Sequence, residues 1–297
     1  MRNIRLAADK ASPSESGPKL PARPIPKPTK TTSHVVVDRS SRSWRTTALS
    51  LVYPHRSNPT TTLVPSLAQL CLRILLDVFS DPVEFANELV PELPPHLRRS
   101  LMHYTAINEP LSNEKLYSLF ESARHADGEI IVIGPQASLR NKIFPSYRFN
   151  SGHCSQELGP TRSVGPDKEK SWEVDDKYGD NDWSSNTCLR TLVVISSGFS
   201  MQTYLNFPPT LTRLALVDLP TSLPIHRLPG LCPLLVILDL SFNSWLGTRS
   251  AGETALERVD WLKWSCLETL GLRECNIDPA VLKRVNHKRF VDVRIIQ

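Results

Sequence analysis

Leu235-Val236-Ile237-Leu238-Asp239-Leu240-Ser241-Phe242-Asn243 and Leu267-Glu268-Thr269-Leu270-Gly271-Leu272-Arg273-Glu274-Cys275 decide the fold of this chain. Each carries leucines at its first, fourth and sixth positions and closes on Asn or Cys. Alternation at Leu238/Leu240 and Leu270/Leu272 is the period of a strand, so the leucines point to one side and the residues between them to the other. One such strand cannot bury its own leucines. The same apolar frame recurs at Leu189, Leu192, Val194, at Leu211, Leu214, Leu216 and at Phe290, Val293, Ile295. The starts lie roughly 22, 24, 32 and 23 residues apart, a spacing at which successive units stack into a parallel sheet along one curved face.

With this frame and its Asn or Cys, residues 187–297 resemble leucine-rich-repeat proteins. The resemblance implies an α/β fold, a short solenoid with a parallel β-sheet and an irregular or helical convex side. It also implies that Asn243 and Cys275 satisfy backbone groups at the turn leaving the strand. The residues between the leucines then line a concave face that binds a protein target: Thr191, Val193, Ile195, Arg213, Ala215, Val217, Ile237, Asp239, Ser241, Thr269, Gly271, Arg273, Asp292 and Arg294. Their mixture of apolar, small and oppositely charged groups suits a protein better than a nucleic acid, which calls for a uniformly basic stripe. The one long interval is filled by residues 251–264, where Ala255, Leu256, Val259, Trp261 and Leu262 predict a convex helix. Pro208-Pro209, Pro220, Pro224, Pro229 and Pro233 predict extended or 3₁₀ segments elsewhere on that side.

Towards the N-terminus, Ile130-Ile131-Val132-Ile133 predicts a buried strand within a linking segment, residues 126–149, at the start of the solenoid. Residues 150–186 turn polar and read as a flexible insertion; their acids, Glu173 to Asp182, lack the spacing of a calcium loop. Residues 63–125 read as a small helical module. Leu67, Leu70, Cys71, Ile74, Leu75 and Val78 recur at helical intervals behind Ser66, and Val83 to Val90 form a short helix or bridge between Pro82 and Pro91. Leu97, Leu101, Tyr104 and Ile107 share a helical face opposite Arg98 and Arg99, and Leu111 to Phe120 supply a fourth segment. Residues 1–62, rich in Pro and basic groups, read as a disordered tail in which Pro21-Ala22-Arg23-Pro24 fits the spacing of an SH3 ligand.

Ser66-Leu67-Ala68-Gln69-Leu70-Cys71-Leu72-Arg73-Ile74-Leu75 is similar to the BC-box helix by which SOCS-box proteins dock on the elongin C adaptor. The resemblance implies that Leu67 enters an adaptor pocket and that Cys71 and Leu75 pack beside it; Leu70 lies on the same face. Leu93-Pro94-Pro95-His96-Leu97 matches the cullin-selecting Leu-Pro-x-Pro stretch without its final Pro. Helices followed by leucine-rich repeats also resemble F-box receptors of Skp1-type adaptors, although the Leu-Pro opening and trailing Trp of an F-box are missing. The other reading of these helices is a cap on the first strand of the solenoid.

Composition bounds the rest. The net charge of +5 is small for 297 residues, and no apolar run reaches the roughly 20 residues of a membrane span. Together with the polar N-terminus this predicts an intracellular protein of cytoplasm or nucleus that binds neither nucleic acid nor membrane. The six cysteines have no zinc-site spacing and read mostly as buried thiols, and His153-Cys154 stands alone. No phosphate loop, Gly-x-Ser-x-Gly or His-Glu-x-x-His occurs, so no catalytic residue, metal or cofactor is expected. The expected function is that of a non-catalytic substrate receptor in a cullin-RING ubiquitin ligase, of the SCF or elongin type. The alternative is a leucine-rich-repeat interaction scaffold with no link to ubiquitin.

Overall fold

Six parallel strands stand side by side in the order in which the chain makes them: β1 Glu129–Ile133, β2 Thr191–Ile195, β3 Arg213–Val217, β4 Ile237–Asp239, β5 Thr269–Gly271 and β6 Arg294–Ile296. The computed structural model describes residues 41–54, 66–120, 125–141, 143–144, 188–248 and 254–297. The SH3-type match, the rest of the tail up to residue 40, the insertion at 150–186 with its acids, and His153-Cys154 lie outside the described residues.

Register follows the apolar frame. Ile130, Leu192, Leu214, Leu238, Leu270 and Ile295 pair in turn across the sheet, so one column of aliphatic side chains runs through all six strands. Those from Leu192 to Leu270 are fully buried, and β1 joins the sheet as its first strand. The last frame is corrected by two residues: Ile295, not Val293, pairs with Leu270, and Phe290 is 104% exposed. A shift of two preserves the strand's facing, which is why alternation alone did not detect it.

The chain leaves β2, β3, β4 and β5 through Ser196, Asp218, Phe242 and Glu274, each with positive φ and each four residues beyond the paired leucine. Four non-glycine residues in this sparsely populated region at one register position show that the exit turn is built the same way each time. Asn243 explains why the turns hold. Its buried amide Nδ2 donates to Leu216 O (2.7 Å) and Leu240 O (2.8 Å), and its Oδ1 accepts from Leu219 N (2.8 Å), so one side chain ties two successive turns. Cys275 Sγ lies 3.2 Å from Leu240 O on the next turn.

Behind the sheet the connections are short: α7 Met201–Leu205, a 3₁₀ turn Ile225–Arg227 running into α8 Leu228–Leu231, 3₁₀ turns Ser244–Gly247 and Trp261–Lys263, and α9 Pro279–Val285. The helix expected over 251–264 is corrected: residues 254–264 form turns and one 3₁₀ segment, while 249–253 lie outside the described residues. Leu256, Val259 and Trp261 are buried and Leu262 is exposed, so apolar residues placed at helical intervals are seated by separate turns instead.

The helices are α1 Arg42–Leu49, α2 Leu67–Val78, α3 Pro82–Glu84, a π turn Phe85–Leu89, α4 Val90–Glu92, α5 Pro95–Asn108 and α6 Asn113–Ser118. Asp81 starts α3 by accepting from Val83 N and Glu84 N, with Pro82 at the first turn. The π turn lies immediately ahead of Pro91, which has no N–H to offer an ordinary helical ladder. α1 corrects the reading of residues 1–62 as wholly disordered: Ser41 caps it, and Trp44, Ala48 and Leu49 are buried. Arg98 and Arg99, opposite the apolar face of α5, are half-buried. Arg98 donates to Leu93 O (2.7 Å) and Val90 O (2.9 Å), and Arg99 to Glu129 Oε1 (2.6 Å). Side chains from these helices and from both sides of the sheet form a single hydrophobic core. Among the described residues no helix is long and apolar enough to cross a membrane.

Candidate functional site

Two surfaces were expected to bind partners: the strand face between the leucines, and one face of α2. The structure treats them oppositely. On the strand face Thr191, Val193, Ile195, Ala215, Val217, Asp239, Ser241, Thr269 and Gly271 are buried, Ile237 and Arg273 are half-buried, and only Arg213, Asp292 and Arg294 are exposed. The expectation of an open concave face is therefore corrected. The chain's own helices cover it, with α5 packed along β1 and the segment Arg42–Tyr53 lying over β4 and β5.

The cover is fixed by packing and by hydrogen bonds. Trp44 meets Phe242 edge-on at 5.8 Å, and Leu51 sits where a side chain on Gly271 would otherwise stand. Arg273 spans the contact: Nη1 donates to Thr47 O (2.9 Å) and Ser50 Oγ (3.0 Å), and Nη2 pairs with the buried Asp239 (3.2 Å). Burial pushes the Asp239 carboxyl up despite the opposing pull of Ser241 and Arg273. Arg45 binds the free carbonyls of Ile107 and Asn108 at the end of α5, both at 2.9 Å, which locks α1 to α5. Burying Trp44, Leu49, Leu51 and Val52 at roughly 1.5–3 kcal/mol each contributes on the order of 8 kcal/mol. Ordering the segment offsets much of that gain; what makes it part of the fold is that Trp44, Ala48, Leu49 and Val52 belong to the shared core.

A buried ionic cluster joins α5 to β1. Glu129 accepts from Arg99 at Oε1 (2.6 Å) and lies 2.6 Å from His103 Nε2 at Oε2, where Tyr53 OH also donates (3.2 Å). Burial pushes the Glu129 carboxyl up, but the bonds and charges of His103 and Arg99 outweigh it and hold the group below its ordinary value. Burial, reinforced by the Glu129 charge, holds the Tyr53 phenol well above the usual range. A buried His beside a carboxylate has the makings of an acid–base pair, yet no cavity large enough for a substrate opens onto it among the described pockets. Its visible work is to attach the helices to the sheet. The sequence signal was Glu129, a charge at the head of an otherwise apolar buried strand; its partners are too far away along the chain to be paired with it by spacing.

α2 presents the opposite case. Ser66 and Gln69 form a reciprocal capping box at its start, both bonds at 3.3 Å, and Lys115 Nζ donates to Phe79 O (2.9 Å) at its end. Of its apolar residues only Leu72 is buried, with Leu75 and Leu76 half-buried against the core. Leu67 is 76%, Ile74 60% and Val78 62% exposed, and Leu70 and Cys71 lie between them, also exposed. The helical interval predicted from sequence is there, but the helix turns most of that face outward. Of the four residues matched to the adaptor helix, Leu67, Leu70 and Cys71 are accessible and Leu75 is tied into the core. Beside the stripe a cavity of about 390 Å³ opens between α1, α2 and α5, lined by Leu70, Leu76 and Tyr104 with Arg42, Arg73 and Glu109 at its polar parts.

The cysteines also divide. Cys232 and Cys275 are buried, and burial pushes their thiols up to about 12 and about 11, whereas Cys71, Cys188 and Cys266 are exposed, which corrects the expectation of mostly buried thiols. Among the described residues no group of three or more His, Cys, Asp and Glu is placed to hold a metal ion. Compared with known proteins, the chain matches no family model, no curated protein and no solved structure.

Proposed function

We propose that this chain is a non-catalytic protein-binding protein whose α2 docks an adaptor of the elongin C or Skp1 type, so that it serves as a substrate receptor of a cullin-RING ubiquitin ligase in the cytoplasm or nucleus. The observation that carries the reading is the exposed apolar stripe of α2. Contiguous exposed aliphatic groups on a helix anchored at both ends are costly in water and are the usual mark of a surface awaiting a partner. The stripe includes Leu67, Leu70 and Cys71, three of the four residues that resemble a BC-box helix.

On this reading the sheet is a leucine-rich-repeat solenoid, supported by the aliphatic column in register, the recurring left-handed exit turns and the Asn243 ties. The target is then held away from the strand face, because α1 and α5 fill it. The same covering weakens the alternative of a scaffold that binds through an open concave surface.

The experiment is a pull-down of purified full-length chain against an elongin B–elongin C complex and, separately, a Skp1 homologue. Recovery of one adaptor, lost with Leu67→Lys and retained with an exposed polar change such as Glu84→Gln, is the expected result. Failure to recover either adaptor, or equal recovery by the Leu67→Lys chain, sinks the proposal.

A further inference from the structure

On the side of the sheet away from the helical cover, three successive connections frame a cavity of about 440 Å³. Met201 comes from the connection after β2, Ser222 to Arg227 from the one after β3, and Ala255 and Arg258 from the one after β4. Leu223 and Ile225 at its base are buried in the core, so the floor is fixed. Arg227, Arg258 and His226 line it, and among the described residues none of its lining is acidic. Both arginines are exposed, and their guanidinium groups make no hydrogen bond or ion pair among the described residues. Partial burial first, and then the positive fields of Arg258 and Arg227, hold the His226 imidazole below its ordinary range.

We propose that this cavity binds a phosphate monoester dianion carrying an aliphatic group. Two guanidinium forks match the oxygens of a phosphate, and an imidazole beside them gains a proton when an anion arrives, so the site favours two negative charges over one. Met201, Pro224 and Ala255, which keep accessible surface, offer an aliphatic wall with no aromatic ring on which a nucleobase would stack. The volume lies in the range of small-ligand sites. This site is separate from α2, and it stands or falls independently of adaptor docking.

Calorimetry on the full chain with n-butyl phosphate, inorganic phosphate and butyrate tests it. The expected order is butyl phosphate tightest, with either half of the ligand weaker by roughly tenfold or more. Saturating butyl phosphate should move the NMR titration midpoint of His226 upward. Arg227→Gln with Arg258→Gln should abolish both effects without lowering the melting temperature, since both side chains are exposed and unbonded; Met201→Glu, an acid placed on the opposite wall, should do the same. A phosphoserine pentapeptide with a neighbouring leucine separates the sources: peptide binding above that of butyl phosphate assigns the ester to a phosphorylated polypeptide, and the reverse to a free metabolite. Butyrate binding as tightly as butyl phosphate, adenosine monophosphate binding more tightly than it, or survival of binding in both variants overturns the proposal.

Discussion

The strand face and α2 carry equally plain alternating or helical patterns, and each pattern correctly marks which residues share a side. What differs is the occupancy of that side. The strand face, whose mixture of small, polar and charged residues looks solvent-facing, is closed by α5 together with a segment only a dozen residues long from a region otherwise read as tail. The α2 face, whose leucines and isoleucine look like core, is open. A pattern fixes which residues lie together; it does not fix what lies opposite them, because that depends on contacts between segments far apart along the chain.

If the cover is truly part of the fold, the largest effect should come from its anchor. Trp44→Ala should cost about 3–5 kcal/mol in urea unfolding, whereas Trp44→Phe should cost far less, since the buried indole N–H has no partner to lose. Equal, small effects of both would make the cover a loosely held strap. Next comes the ionic tie. Glu129→Gln should cost about 3 kcal/mol near neutral pH, because it leaves His103 and Arg99 buried or half-buried without their carboxylate.

The pH dependence of that tie has a definite sign. The folded Glu129 carboxyl lies below its ordinary 4.5, so its contribution is present above the unfolded value and is lost as pH falls through the folded one. Asp239, raised by burial, works in the opposite direction: the folded state holds its proton more tightly, and stability from this group declines as pH rises past its ordinary 3.8. The difference between wild type and Glu129→Gln isolates the first, and it should shrink as pH is lowered below about 4.5.

A smaller effect is expected within the turns. Asn243→Ala should cost about 2 kcal/mol by leaving Leu219 N–H and two carbonyls without their partner, an amount differential scanning calorimetry resolves. The smallest belongs to the open surface: Leu67→Lys and Ile74→Gln should each change stability by less than about 0.5 kcal/mol. A loss above 2 kcal/mol at either position would mean that the stripe is packed, and the contrast between the two faces would collapse. Thiol labelling offers a direct check without mutation. Native protein should alkylate Cys71, Cys188 and Cys266 while sparing Cys232 and Cys275, read by peptide mass mapping.

How much was legible can be followed residue by residue. The columns through Leu192, Leu214, Leu238 and Leu270 needed only the strand period, and the start of α2 needed only Ser66 ahead of the helical interval. α1 left a readable trace, since Trp44, Ala48, Leu49 and Val52 follow helical spacing, but the run is short and lies beside prolines. The convex turns of 254–264 defeated periodicity because apolar residues seated one at a time mimic a helical face. The last frame slipped by two residues without penalty, since both alignments put the same parity inward.

The sequence by itself determined the strands, their order and the side each residue takes, because these follow from alternation, caps and turn chemistry within a few residues. Only the tertiary structure decided that the strand face would be filled and the α2 face left bare. That choice rests on Leu51 fitting over Gly271, on Arg273 reaching both Asp239 and α1, and on Glu129 meeting Arg99, His103 and Tyr53. Such contacts join residues widely separated along the chain, and no local period encodes them.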